Sequence, residues 1–137
     1  MTERVLLDTG PIVAILGEAD EHHVRCVAQL RELRAPLLAC WPVLTEAAWL
    51  LRRHPAAMTK LMAAFETGVF ELVPLDASDI TSIAAILTKY RTLGVQLADA
   101  ALLHLANRES IDAVFTLGRR DFEVFRLKGG KRLRLIP

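Results

Sequence analysis

The order of apolar and polar stretches predicts an α/β domain built on a largely parallel sheet. Short apolar runs of strand length alternate along the chain with longer stretches of helical period or helical length. A chain of 137 residues that is 53% hydrophobic and 24% charged can bury one sizeable core and has little room for a second, so residues 1–137 are expected to form a single domain. No internal repeat or low-complexity segment interrupts the alternation.

Val5-Leu6-Leu7 reads as a buried strand that stops at Asp8-Thr9-Gly10-Pro11, a turn feeding a helix through about Leu16. From His22 to Leu33 the apolar residues Val24, Val27, Leu30 and Leu33 recur every three positions, with Arg25, Arg31 and Glu32 between them, the pattern of an amphipathic helix with a solvated charged face. Ala35 to Cys40 is a second short strand. Pro42 is placed as an early residue of a helix running to about Arg53, which His54-Pro55 breaks. Ala56 to Glu66 is a further helix ended by Gly68, and Phe70 to Pro74 is a third strand. Asp76-Ala77-Ser78-Asp79 supplies caps for a helix to about Tyr90. After a loop at Gly94, Leu97 to Asn107 is a strongly apolar helix; Ala113 to Phe115 is the fourth strand, and Arg132 to Ile136 the fifth, after a turn at Gly129-Gly130. Right-handed crossovers join such parallel strands, and ligands bind outside their C-terminal ends.

Composition removes several function classes. Lys and Arg total 17 against 16 Asp and Glu, so there is no global field for nucleic acid or an anionic membrane, and any such partner is recognised by a local patch. The two cysteines, Cys26 and Cys40, belong to no CxxC pair or Cys/His cluster and read as buried thiols. No apolar run approaches the roughly 20 residues that span a bilayer, and the start lacks the pattern of a secretory signal, so the expectation is a soluble, cytoplasmic protein with no membrane partner.

Three carboxylates stand in surroundings that do not suit them. Asp8 follows the first strand directly. Glu46 lies about one turn into the helix after strand two, among small and apolar residues. Asp99 opens a helix that is otherwise nearly all apolar. An ionised carboxylate among apolar groups is costly unless a cation balances it, and each of these three belongs to an element that starts or ends at the same sheet edge. Asp or Glu in a first helical turn also complements the helix dipole, which is the plain alternative for Asp8 and Asp99. Convergent carboxylate oxygens without His or Cys suit Mg2+ or Mn2+ rather than zinc. The sequence has no G-x-S-x-G elbow, no Cys with an evident His partner and no Walker A loop, so a side-chain nucleophile or a bound nucleoside triphosphate is not expected.

Val5-Leu6-Leu7-Asp8-Thr9-Gly10-Pro11, Leu44-Thr45-Glu46, Leu97-Ala98-Asp99-Ala100, and Val114-Phe115-Thr116 before Arg119-Arg120-Asp121-Phe122 resemble the ordered motifs of a PIN domain. The match spans the chain and is most similar to the small VapC-like ribonucleases of bacterial toxin–antitoxin pairs. The resemblance implies a three-layer α/β/α sandwich with a mostly parallel sheet of about five strands. It also implies a Mg2+- or Mn2+-dependent endoribonuclease that cuts structured or single-stranded RNA, forms a homodimer and is restrained by a cognate antitoxin protein. Asp8, Glu46 and Asp99 match the family's metal-binding acids, and Thr116 matches a residue that orients water. One position departs: where PIN domains usually place an Asp two residues beyond that Thr, this chain has Gly118.

Gly118 motivates the rival expectation, a PIN domain that binds RNA or a protein partner without cutting. Asp121 either supplies the fourth carboxylate, directly or through water, or is an exposed turn residue. Arg119 and Arg120 either hold flanking RNA phosphates or are merely solvated. Thr116, as a β-branched strand residue, also suits a structural role, and Thr9 is a further candidate for the same network. His104 lies off the helical face of Asp99 and reads as a core or interface residue. Trp49, three positions after Glu46, walls the cleft or packs in the core, and Met58, Leu61, Met62 and Phe65 pack in the core or form an interface.

Overall fold

The computed structural model describes residues 3–137. Five strands, each three residues long, form one sheet: β1 (Val5–Leu7), β2 (Leu37–Ala39), β3 (Phe70–Leu72), β4 (Ala113–Phe115) and β5 (Arg134–Ile136). All neighbours are parallel, in the order β3-β2-β1-β4-β5, with Leu6 of β1 opposite both Leu38 and Val114. The helices among the described residues are α1 (Thr9–Leu16), α2 (His23–Glu32), α3 (Trp41–Leu50), α4 (Pro55–Glu66), α5 (Ile80–Lys89), α6 (Leu97–Glu109) and α7 (Arg119–Val124).

Every residue of β1, β2 and β4 is buried, although successive side chains point to opposite faces, so both faces of the sheet are covered. The chain builds outward from β1 to β2 to β3, then returns to lay β4 on the other side of β1. With right-handed crossovers, that reversal sends α1 to α4 to one face and α5 to α7 to the other, the expected three layers. It also opens a crevice beyond the C-terminal ends of β1 and β4, where this class of sheet takes its ligands.

Local chemistry fixes the elements around that crevice. Asp8 caps α1. Pro42 and Pro55 stand in the first turns of α3 and α4, where a missing N–H costs nothing. Asp76 and Asp79 make a reciprocal capping box ahead of α5. Gly68, at φ +84°, takes the left-handed conformation that reverses the chain after α4. Cys26 and Cys40 are fully buried, as expected.

Three differences from the sequence reading have physical causes. The second and third strands are shorter than expected, in each case on the side where a proline (Pro36, Pro74) removes a ladder donor. The fifth starts at Arg134, because Arg132 instead pairs with Arg126 in an antiparallel bridge closing the Gly129-Gly130 turn. Between strands four and five, where no helix was expected, residues 119–124 form α7, anchored by fully buried Phe122, whose ring meets that of Phe125 at 5.1 Å. No helix among the described residues is long and apolar enough to cross a membrane.

Candidate functional site

Asp8 is the innermost carboxylate of the crevice. The end of β1 delivers it, its backbone N–H still bonded to Phe115 O in β4, and it is only 7% exposed. Its Oδ1 accepts from Thr9 N at 2.8 Å, and its Oδ2 accepts from Thr116 Oγ1 at 2.7 Å. Thr116, fully buried just after β4, also accepts from Gly118 N at 2.9 Å. The two threonines thus fix the Asp8 carboxylate in one orientation. Burial raises its pKa, the Thr116 and Thr9 hydrogen bonds oppose the rise, and the charge of Glu46 adds to it.

The other acids arrive from helix starts. Glu46 sits in the second turn of α3, half-buried, its pKa raised by burial and then by Asp99. Asp99, in the first turn of α6, is pushed up to about 6 by burial first and by the charge of Asp8 second; a 3.4 Å bond from Gln96 N opposes this, and Asp121 of α7 pushes the same way as Asp8. Asp99 also fulfils its plain role, since it caps α6 together with Gln96. Three acids remote in sequence, with Asp121 beside them, therefore act on one another electrostatically. The close cluster that the sequence reading expected is not found: among the described residues no three Asp, Glu, His or Cys side chains are drawn close enough to hold one ion directly.

The donor set fits a hard divalent cation. It is made of carboxylate and hydroxyl oxygens alone, and none of the four acids makes an ion pair with Lys, Arg or His among the described residues. Thr9 Oγ1, buried beside Asp8, has no hydrogen-bond partner.

Gly118 adopts φ −86°, ordinary for any residue, so its backbone does not require glycine. A Cβ built there would lie 3.5 Å from Thr116 Oγ1 and 4.0 Å from Asp8 Oδ2, so an acid at this position would reach into the crevice. Asp121 is not an exposed turn residue: it occupies the first turn of α7, partly buried, close enough to Asp99 to raise its pKa. Arg119 is tied to Pro137 O at 2.5 Å and to Glu123 at 3.4 Å. Exposed Arg120 makes no side-chain bond among the described residues, which leaves it the freer of the two.

His104 lies outside this group, as expected. It is buried and bonds Asp79 Oδ1 through Nε2 at 2.7 Å, and Arg108 Nη1 donates to the same oxygen at 2.9 Å. A cavity of about 520 Å3 between α5 and α6 contains that cluster but none of the four acids. Leu61 is core and Met58 and Phe65 pack against it, whereas Met62 is exposed. Trp49 proves exposed, and with Trp41, which the sequence reading did not single out, it lines an open groove beside Glu46. Periodicity held no signal for this, because α3 is apolar nearly all round and its outward face is set by packing against α1 and α6.

Comparison with known proteins agrees with this fold. The PIN domain family model matches residues 5–127. Ribonuclease VapC26 of Mycobacterium tuberculosis is 31% identical over 136 residues, covering 97% of this chain and all of that protein. The crystal structure of Mycobacterium tuberculosis VapC20, a toxin that cleaves the sarcin–ricin loop, superposes with a TM-score of 0.71 at 17% identity, over 80% of this chain and 86% of that one.

Proposed function

The chain belongs to the PIN domain family, and from that premise we propose that it is a VapC-like endoribonuclease, a toxin that hydrolyses RNA phosphodiesters with Mg2+ or Mn2+ and is restrained by a cognate antitoxin. The observation that carries the reading is the set of three acids, Asp8 at the end of β1, Glu46 of α3 and Asp99 of α6, whose pKa values are raised by burial and by one another's charge, with Asp121 of α7 adding to the rise at Asp99 and no protein cation to balance them. Their charge is the complement of a divalent metal, and Asp8, Glu46, Asp99 and Asp121 are the residues that would hold it, directly or through water.

When bound, the metal supplies positive charge against the phosphoryl and leaving oxygens and acidifies water at neutral pH. The chain's own residues do the rest. Thr116 and Thr9 lock the Asp8 carboxylate, so that little reorganisation is left when the substrate arrives. Thr116, fully buried with its hydroxyl proton given to Asp8, positions that carboxylate toward the attacking water rather than touching the water itself. Arg120, and Arg119 more weakly, attract a flanking phosphate at the rim. Asp121 takes the place of the acid that Gly118 lacks, which supports cutting over a purely RNA-binding or protein-binding role. The protein acts in the cytoplasm as a homodimer.

The test is cleavage of RNA by purified protein in Mg2+, in Mn2+ and in chelator, against Asp8→Asn. Cleavage that needs the metal and Asp8 supports the reading. A wild-type protein that binds RNA and cuts none in either metal overturns it.

A further inference from the structure

The cavity between α5 and α6 gathers charge that the fold leaves unbalanced. Its volume of about 520 Å3 lies within the range of small-molecule sites. The floor is apolar, made by Ile86 of α5, Leu103 of α6 and Leu127 of the turn after α7. Asp79, the one acid among its lining residues, is already paired with His104 and Arg108. Lys89, Arg126 and Lys128 also line it, and none of the three makes an ion pair among the described residues. Arg126 uses only Nη1, which donates to the carbonyls of Glu123, Val124 and Phe125. Three unbalanced cations around an apolar floor are the complement of an anion with an apolar body. A second copy of this chain laid face to face on the cavity would instead set those cations against themselves, because a two-fold contact apposes like patches.

The same cavity wall reaches α7. Arg126 N donates to Tyr90 Oη at 3.1 Å, the Tyr90 ring lies 4.9 Å from that of Phe125, and Phe125 lies 5.1 Å from Phe122, the buried anchor of α7. Lys89 Nζ stands 5.3 Å over the Tyr90 ring, and Asn107 Oδ1 of α6 accepts from Lys128 N at 2.8 Å. We propose that this cavity binds a small organic phosphate of the nucleoside monophosphate class, and that the bound ligand steadies α7. The phosphate meets Lys89, Arg126 and Lys128, and the flat base covers the apolar floor. The Asn107 amide nitrogen and the Ser82 hydroxyl, neither bonded among the described residues, offer hydrogen bonds to base or ribose. A ligand held between the end of α5 and residues 126–128 ties down the segment that follows α7, and with it the helix that carries Asp121.

The test needs neither metal nor RNA and so stands apart from the ribonuclease reading. The full-length protein is titrated by calorimetry in chelator with adenosine 5′-monophosphate, with adenosine and with inorganic phosphate. Without metal the acids of the crevice repel a phosphate, so the binding is that of the cavity. Saturable binding of the nucleotide is expected, about tenfold tighter than that of either fragment. Lys89→Ala and Lys128→Ala should each weaken it about tenfold. Ala85→Phe, at an exposed position of α5 that lines the cavity, should abolish it by filling the space. Circular dichroism confirms that each variant is folded. Hydrogen exchange of the amides of residues 119–124 should slow about tenfold with the nucleotide bound, while β1 is unchanged. Inorganic phosphate that binds as tightly as the nucleotide, or nucleotide binding that survives Lys128→Ala and Ala85→Phe, overturns the site. Absence of nucleotide binding together with a change of sedimentation in Ala85→Phe also overturns it and assigns the face to a second copy. Binding that leaves exchange in α7 unaltered overturns the link to that helix.

Discussion

Replacing Asp99 by Asn should make the metal-free protein more stable at neutral pH, by an amount that depends on pH in a defined direction. The substitution keeps an oxygen to accept from Gln96 N and removes only the charge. Folding raises the Asp99 pKa from 3.8 to about 6, so the folded chain holds that proton more tightly than the unfolded one. Stability from this group is therefore fully present below about pH 4 and is lost as pH rises through about 6. A shift of about two pKa units corresponds to about 3 kcal/mol, and because Asp99 is half-exposed, solvent screening lowers this to about 1–2 kcal/mol. For a chain of this size that is about 3–6 °C in Tm. Wild type and Asp99→Asn are melted in parallel by far-ultraviolet circular dichroism in chelator from pH 4 to pH 7. The two curves should coincide near pH 4 and separate by that amount at pH 7, the variant melting higher. Millimolar Mg2+ at pH 7 should reverse the order, since only the wild type keeps its full set of carboxylates. A variant that melts at or below wild type in chelator at pH 7, or a gap that does not change with pH, would show that Asp99 carries no such charge strain.

Asp8→Asn should abolish cleavage and leave the Tm in chelator at pH 7 equal to or above that of wild type, because removing a nearly buried charge outweighs the loss of one acceptor, the oxygen facing Thr116 being kept and the bond from Thr9 N given up; a fall of several degrees would count against a charge-strained site. Asp121→Ala should cut the rate strongly and raise the Mg2+ concentration for half-maximal activity, whereas Gly118→Asp, which fits without backbone strain, should add little; the reverse pattern in a metal titration would return the fourth role to position 118. Asp79→Ala should lower the Tm, because it strips His104 and Arg108 of the carboxylate they share, and the loss should be the same with Mg2+ and with chelator. Initial rates at 25 °C should be unchanged in that variant, and a selective loss of rate would tie the cluster to the chemistry.

The strands and the three main acids were legible because each rests on a local contrast. An apolar triplet ending in Asp8, and a lone Glu46 or Asp99 inside an apolar helix, are conflicts between a residue and its neighbours that a linear chain displays. The expectation that they meet followed from the rule that parallel sheets work at their C-terminal ends. The rest depends on packing. α7 is six residues long, has no side-chain cap at Gly118 and is too short to show a period, so Asp121 could not be told from a turn residue. His104 and Asp79 are 25 positions apart and meet only because α5 packs on α6. Trp41 and Trp49 look like core to any pattern argument, since which side of an apolar helix faces water is settled by its neighbours. The resemblance supplied the fourth acidic position, where this chain has Gly118, and the structure adds that Asp121 stands in the first turn of α7 near enough to act on Asp99.

The position of β1 in the middle of the sheet bears on how the acids move relative to one another. Amide protons are released to solvent fastest where a segment can open alone, and opening of this sheet starts at its rims, β3 and β5. Leu6, Leu7 and Asp8 lie between β2 and β4, so their exchange should be the slowest in the molecule and track global unfolding. α7 is short, lacks a side-chain cap and contacts the edge strand β5, so its amides should exchange through small local openings many times faster. The cleft then has one immovable wall carrying Asp8 and one that breathes carrying Asp121. The fourth carboxylate would reach its place only part of the time, and anything that steadies α7, a partner's segment or a bound strand, would set how often the site is complete.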